Sequence, residues 1–190
     1  MLPYEWAISA TVAILAAVAA GITDTLRFKV YNVLTFPLAV GGLVFHSWMQ
    51  GIHGFYLSAA ALVVGLLVLI VPYGLGALGA GDVKFFAAVL SWLGMEPMLT
   101  ILIGASLASG VYSAAVIVRR RGFAALWFNI WNSLVLLCSV GRLGRTAFIQ
   151  PSVQEVLATS PEYRQRLVPF SAMIGVGILV AVVRQALEIA

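Results

Sequence analysis

Apolar segments long enough to cross a lipid bilayer follow one another along most of this 190-residue chain. A transmembrane helix needs about 20 predominantly apolar residues, and short polar connections separate the segments here. Charged residues make up only 9% of the sequence, whereas a soluble domain carries about 25%. The pattern therefore predicts an all-α polytopic membrane protein. Because the segments are contiguous, we expect residues 1–190 to form a single membrane-embedded domain.

Six transmembrane helices are expected, and one of them is short. The predicted segments are residues 4–23, 33–48, 55–73, 83–94, 98–118 and 167–187. A cleavable signal peptide is the alternative for the first segment, but the segment lacks the positively charged start of such a peptide. His46 and His53 flank the predicted outer turn at residues 50–54, so we expect both at the membrane interface.

The basic residues predict how the helices are oriented in the membrane. Arg119-Arg120-Arg121 directly follows a long apolar run, as at the cytoplasmic flank of a helix. The net charge of +4 is therefore assigned to contact with membrane lipid and not with nucleic acid. Residues 123–140 are long enough to span. If they lie in the cytoplasmic interface instead of crossing the membrane, every basic residue except Arg184 is on the cytoplasmic side. This distribution favours an interfacial helix.

One stretch, Gly79-Ala80-Gly81-Asp82, interrupts the apolar pattern with an acid behind two glycines. An acid at membrane depth is costly and usually serves a function. A helix over residues 83–94 would be about 18 Å long, against a hydrocarbon core of roughly 30 Å. We therefore expect residues 74–81 to form a re-entrant loop of non-helical backbone. The glycines would permit unusual backbone angles and close approach of another segment.

A second acid, Asp24, ends the first predicted span and is expected on the same cytoplasmic side as Asp82. Two neighbouring carboxylates do not ionise together readily, so one of them retains a proton. The ionised acid can then activate water while the protonated acid binds a carbonyl oxygen. The structural alternative is that Asp24 pairs with Arg27 and that Asp82 caps the helix it opens.

These motifs resemble the type IV prepilin peptidases, a branch of the GxGD aspartyl intramembrane proteases. Gly79-Ala80-Gly81-Asp82 matches the GxGD signature, and Asp24, Arg27 and Asn32 match the first catalytic acid and its basic connection. Val30-Tyr31 stands where the family usually has Ile-Pro. The chain length is similar to that of the short, peptidase-only enzymes of tight-adherence pilus systems.

A third motif lies late in the chain. Val168-Pro169-Phe170 resembles the family's Pro-Phe motif, although Ser171-Ala172 replaces the usual Gly-Pro. The resemblance implies Asp24 and Asp82 as catalytic residues. The implied substrate contacts are Gly79, Gly81, Arg27, Pro169 and Phe170.

The resemblance also implies an activity: cleavage of the leader peptide from a prepilin or pseudopilin precursor at the cytoplasmic face of the inner membrane. Neither a metal nor another cofactor is expected for this chemistry. Larger members of the family carry an extra domain with paired cysteines that is associated with N-methylation. Cys138 is the single cysteine here, so methyltransferase activity is not expected.

Two other functions are compatible with parts of the pattern. A small transporter or channel could use Asp24 and Asp82 to handle protons or cations, since broken helices and intramembrane acids also occur in transporters. The sequence shows no evident internal repeat, and both acids lie towards one side. A related protease acting on signal peptides is disfavoured by Lys84 in the motif.

Overall fold

The computed structural model describes residues 3–27, 30–74, 78–121 and 170–189, and every regular element among them is an α-helix. In chain order the helices are α1 (Pro3–Arg27), α2 (Asn32–Gly74), α3 (Ala80–Leu93), α4 (Met98–Arg121) and α5 (Phe170–Ile189). Helices α1, α2, α4 and α5 are long and apolar enough to cross a membrane. The predicted all-α membrane fold is confirmed for these residues.

The chain divides into two units. One comprises Met1–Ala108 and Pro169–Ala190, and the other comprises Ser109–Val168. The described part of the second unit is residues 109–121, which are helical. The predicted interfacial helix at residues 123–140 and the predicted start of the last span, residues 167–169, lie outside the described residues.

Helix α2 contains the second and third predicted spans. A straight helix of its 43 residues would be about 65 Å long, twice the thickness of the hydrocarbon core. Gly51 interrupts it with φ 64° and ψ −150°, a conformation essentially restricted to glycine. The interruption lies within the predicted turn. It divides α2 into two arms, residues 32–50 and 52–74, and both arms reach α3 at Ser91, through Gly42 and Ser58.

Helix α3 lies at the centre of the first unit. Ten of its 14 residues are buried, as expected for a helix that is apolar on all sides. Phe85, Phe86 and Leu90 are fully buried, and α1, α2 and α5 all pack against this helix. At about 21 Å it is too short to cross a bilayer unaided.

The carboxyl end of α3 receives donors from α2. The last carbonyl groups of a helix have no partner within it. The Ser58 hydroxyl donates to the Ser91 carbonyl at 2.7 Å, and His46 Nε2 lies at hydrogen-bonding distance, 3.0 Å, from the Trp92 carbonyl. His46 is buried against the end of α3, and its predicted place at the membrane interface stays a prediction. His53 is exposed.

Small residues bring α1 and α5 together. A Cβ atom placed on Gly21 would lie 3.5 Å from the Cα of Ala172, and one on Gly175 would lie 3.4 Å from the Cβ of Ala17. Small side chains let helix backbones approach closely in membranes. This packing puts the start of α5 beside the end of α1.

Candidate active site

Asp24 lies in the last turn of α1, because that helix continues to Arg27, four residues beyond the predicted span of residues 4–23. The side chain is buried. Its Oδ2 accepts a hydrogen bond from the backbone N–H of Ser171 at 3.0 Å. Ser171 is the second residue of α5, where backbone N–H groups have no partner within the helix. The carboxylate therefore satisfies a donor of α5 and lies at the positive end of its dipole.

Asp82 is the third residue of α3 and uses its two oxygens differently. Oδ2 accepts the Gly79 N–H at 3.3 Å, which is the backward bond of a capping box. Oδ1 accepts a hydrogen bond from the hydroxyl of Ser171. The capping alternative is thus correct for one oxygen, while the other makes a tertiary contact that capping does not require. The cap also starts α3 at Ala80, three residues before the predicted start at Val83.

One serine joins the two acids. Ser171 is fully buried; its N–H donates to Asp24 and its hydroxyl donates to Asp82. The sequence marked this position only as a replacement of Gly in the late motif. A polar residue at the start of a helix that follows Pro-Phe is the signal that could have identified it.

Gly81 allows a close approach next to Asp82. A Cβ atom there would lie 3.1 Å from the Cβ and 3.2 Å from the carbonyl oxygen of Val30, so Val30, two residues before α2, lies directly against the start of α3. Gly79 has ordinary extended angles, φ −79° and ψ 148°. Neither glycine has a positive φ, so the expectation of unusual backbone angles is wrong for this motif.

The structure describes some of the other predicted site residues and leaves others outside the described part. Phe170 is half-buried, packs against the core and precedes Ser171. Arg27 ends α1, but its side chain lies outside the described part of the structure, as does all of Pro169. Lys84 is exposed and donates to Asn32 Oδ1 at 3.1 Å, which ties the starts of α2 and α3 together.

A cavity of about 470 Å³ lies at the opposite end of the same helices. Its lining includes Trp6 near the start of α1, Glu96 just beyond the end of α3, and Gln185 in the last turns of α5. The two acids lie at the end of α1 and the start of α3. Among the described residues, no group of three or more His, Cys, Asp or Glu side chains could hold a metal ion.

Comparison with protein families connects this arrangement to a known group. The sequence model of the type IV leader peptidase family matches residues 11–114, more than half of the chain. The matched stretch contains Asp24 and the Gly79-Ala80-Gly81-Asp82 motif, while Ser171 lies beyond it. Comparison with curated proteins found no match, and comparison with solved structures found none either. The chain therefore belongs to the type IV leader peptidase family, which is a family of proteases.

Proposed function

We propose that this protein is a membrane aspartic endopeptidase that removes the leader peptide from type IV pilin-like precursors, with Asp24 and Asp82 as its catalytic pair. The observation that carries the proposal is the shared contact with Ser171, through which two acids from different helices meet. Membership of the leader peptidase family supports the substrate class.

Two carboxylates can hydrolyse a peptide bond without a covalent intermediate. The ionised acid takes a proton from water, whose oxygen attacks the carbonyl carbon of the scissile bond. The protonated acid donates its proton to the carbonyl oxygen, and a tetrahedral diol forms. When the C–N bond breaks, the departing nitrogen receives a proton from a carboxyl group. The released segments then carry a new carboxyl terminus and a new amino terminus.

The proposed topology has six transmembrane segments, because the two arms of α2 cross the membrane separately and α3 counts as the short segment. The bounds predicted for the re-entrant loop are too wide, because Gly74 belongs to α2 and Ala80 and Gly81 belong to α3. Within residues 74–81, Leu78 and Gly79 are the described non-helical residues. Residues 123–140 lie in the cytoplasmic interface. The basic residues other than Arg184 then face the cytoplasm of the inner membrane, where anionic lipid attracts them. Both acids lie on that side.

The precursor is proposed to bind through its own hydrophobic helix and through the residues next to the acids. Exposed apolar side chains on the four long helices suit contact with a substrate helix or with lipid. Gly79, Gly81, Arg27, Pro169 and Phe170 are the proposed contacts for the segment around the scissile bond. Gly79 itself donates its N–H to Asp82, and Phe170 directly precedes Ser171, which donates to both acids.

Co-expression with a candidate pilin precursor tests the proposal. The native protein is expected to shorten the precursor, and Asp24→Asn and Asp82→Asn are each expected to abolish the shortening, because the other acids among the described residues lie near the opposite ends of the helices. Gel mobility of the precursor is the measurement, and the amount of membrane-inserted peptidase is measured in parallel. Glu96→Gln is the matched control, since this exposed acid lies at the other end of the unit. Normal processing by either Asp variant would reject the pair and favour a transport role.

A further inference from the structure

Ser171 presents two donors to two different carboxylates from a single residue. Its backbone N–H lies 3.0 Å from Asp24 Oδ2, and its hydroxyl donates to Asp82 Oδ1. The residue is fully buried, so water does not compete at its surface. Hydrogen bonds to charged groups are stronger than those between neutral groups, which makes this a firm link between α1 and α3.

The position of Ser171 is fixed by the packing of α5. Ile174 and Ile178, on the following turns of the helix, are also fully buried. Close contacts at Gly21 and Gly175 hold α5 against α1. This packing places the backbone of Ser171 beside Asp24.

We propose that Ser171 is a positioning residue that holds Asp24 and Asp82 in register before substrate binds. The inference rests on the proposed function and adds to it a residue outside the stretch that the family model matches. Two donors separated only by the bonds of one residue set the spacing of the carboxylates. Catalytic groups must be held close to their productive geometry by supporting contacts. In this protein a hydroxyl provides part of that support.

Ser171→Ala removes the hydroxyl and keeps the backbone donor to Asp24. Asp82 retains its bond from Gly79 through Oδ2, while the contacts of the hydroxyl with Asp82 Oδ1 and with the Asp24 carboxylate are lost. We expect kcat for precursor cleavage to fall about 10- to 100-fold, the range set by losing one hydrogen bond to a charged group. KM should stay within about threefold, because the substrate-binding surface is unchanged. Ser171→Gly removes the same hydroxyl and should lower kcat by the same factor. It provides a second test if the alanine variant folds poorly.

Ser91→Ala is the matched control. Ser91 is also fully buried, and its hydroxyl donates to the Ala88 carbonyl at 2.8 Å within α3. This variant should leave kcat unchanged. Infrared spectra of protein with ¹³C-labelled aspartate provide a readout that does not depend on activity. A carboxyl band should shift in Ser171→Ala and stay in place in Ser91→Ala.

The outcomes separate this inference from the proposed function. If Asp24→Asn and Asp82→Asn are inactive while both Ser171 variants cleave normally with an unchanged carboxyl band, the positioning role is overturned and the proposed function stands. If Ser171→Ala is as inactive as Asp82→Asn, the hydroxyl takes part in the chemistry itself, and the positioning role is again overturned. If the Asp variants remain active, the proposed function fails.

Discussion

A single carboxylate can serve structure and chemistry together because it has two oxygens. Asp82 caps α3 through Oδ2 and meets Ser171 through Oδ1. The cap fixes the side chain at the start of a buried helix, so the second oxygen points to a defined place. Helix capping and a catalytic role, which are alternatives when only the sequence is considered, are compatible here.

At the same scale, Gly81→Ala tests how closely the start of α3 is packed. The added methyl group would lie 3.1 Å from the Cβ of Val30, tighter than an ordinary van der Waals contact. We expect a loss of about 1–3 kcal/mol in the free energy of unfolding, as for other overpacked sites. Precursor cleavage should fall as well, since the displaced residue precedes Asp82.

Unfolding in detergent measures the effect, and Gly74→Ala is its control because nothing lies within 4 Å of a Cβ placed there. Equal stability of the two variants would show that the residues before α2 adjust without cost. The close approach at Gly81 would then have no structural importance.

Among the helices, α3 depends most on its neighbours. It is short, buried on all sides and bonded at both ends by other elements. Hydroxyl and imidazole groups from α2 meet its terminal carbonyls, which would otherwise be buried without partners. Leaving such a group unpaired costs more than the average hydrogen bond contributes.

Ser58→Ala tests this dependence. The variant leaves the Ser91 carbonyl without the 2.7 Å hydrogen bond from Ser58, so the free energy of unfolding should fall by about 1–3 kcal/mol. Thr11→Ala is the comparison, because the Thr11 hydroxyl is exposed and bonds to Ala7 within its own helix. It should change stability by less than about 0.5 kcal/mol. A Ser58→Ala loss no larger than the Thr11→Ala change would mean that another donor replaces the serine.

For the whole molecule, features of the sequence predict some properties of the structure and leave others undetermined. The length of each apolar segment predicts the long helices, because a helix that crosses a bilayer needs about 20 consecutive apolar residues. The acid pair is predicted by motif resemblance. The burial of His46 and the bridging position of Ser171 are not predicted, because each arises from contacts between residues far apart in the chain. Such contacts leave no periodic pattern in the sequence.

The first unit buries small residues and exposes large apolar ones. Ala13 and Ala20 are fully buried, while Leu15 and Leu67 are exposed, an arrangement that suits a lipid environment. The acids lie at one end of the unit and the cavity at the other. A substrate that enters by the acids would therefore not depend on the cavity.

The proposed role of Asp24 and Asp82 as one catalytic unit is tested most directly by comparing kcat/KM of the single variants and the double variant. Residues that act as a unit are strongly non-additive. With purified protein and a precursor peptide, Asp24→Asn, Asp82→Asn and the combined variant should all be reduced to the same residual kcat/KM. Losses that multiply in the combined variant, or substantial activity in either single variant, would show that the two acids do not act as one catalytic unit.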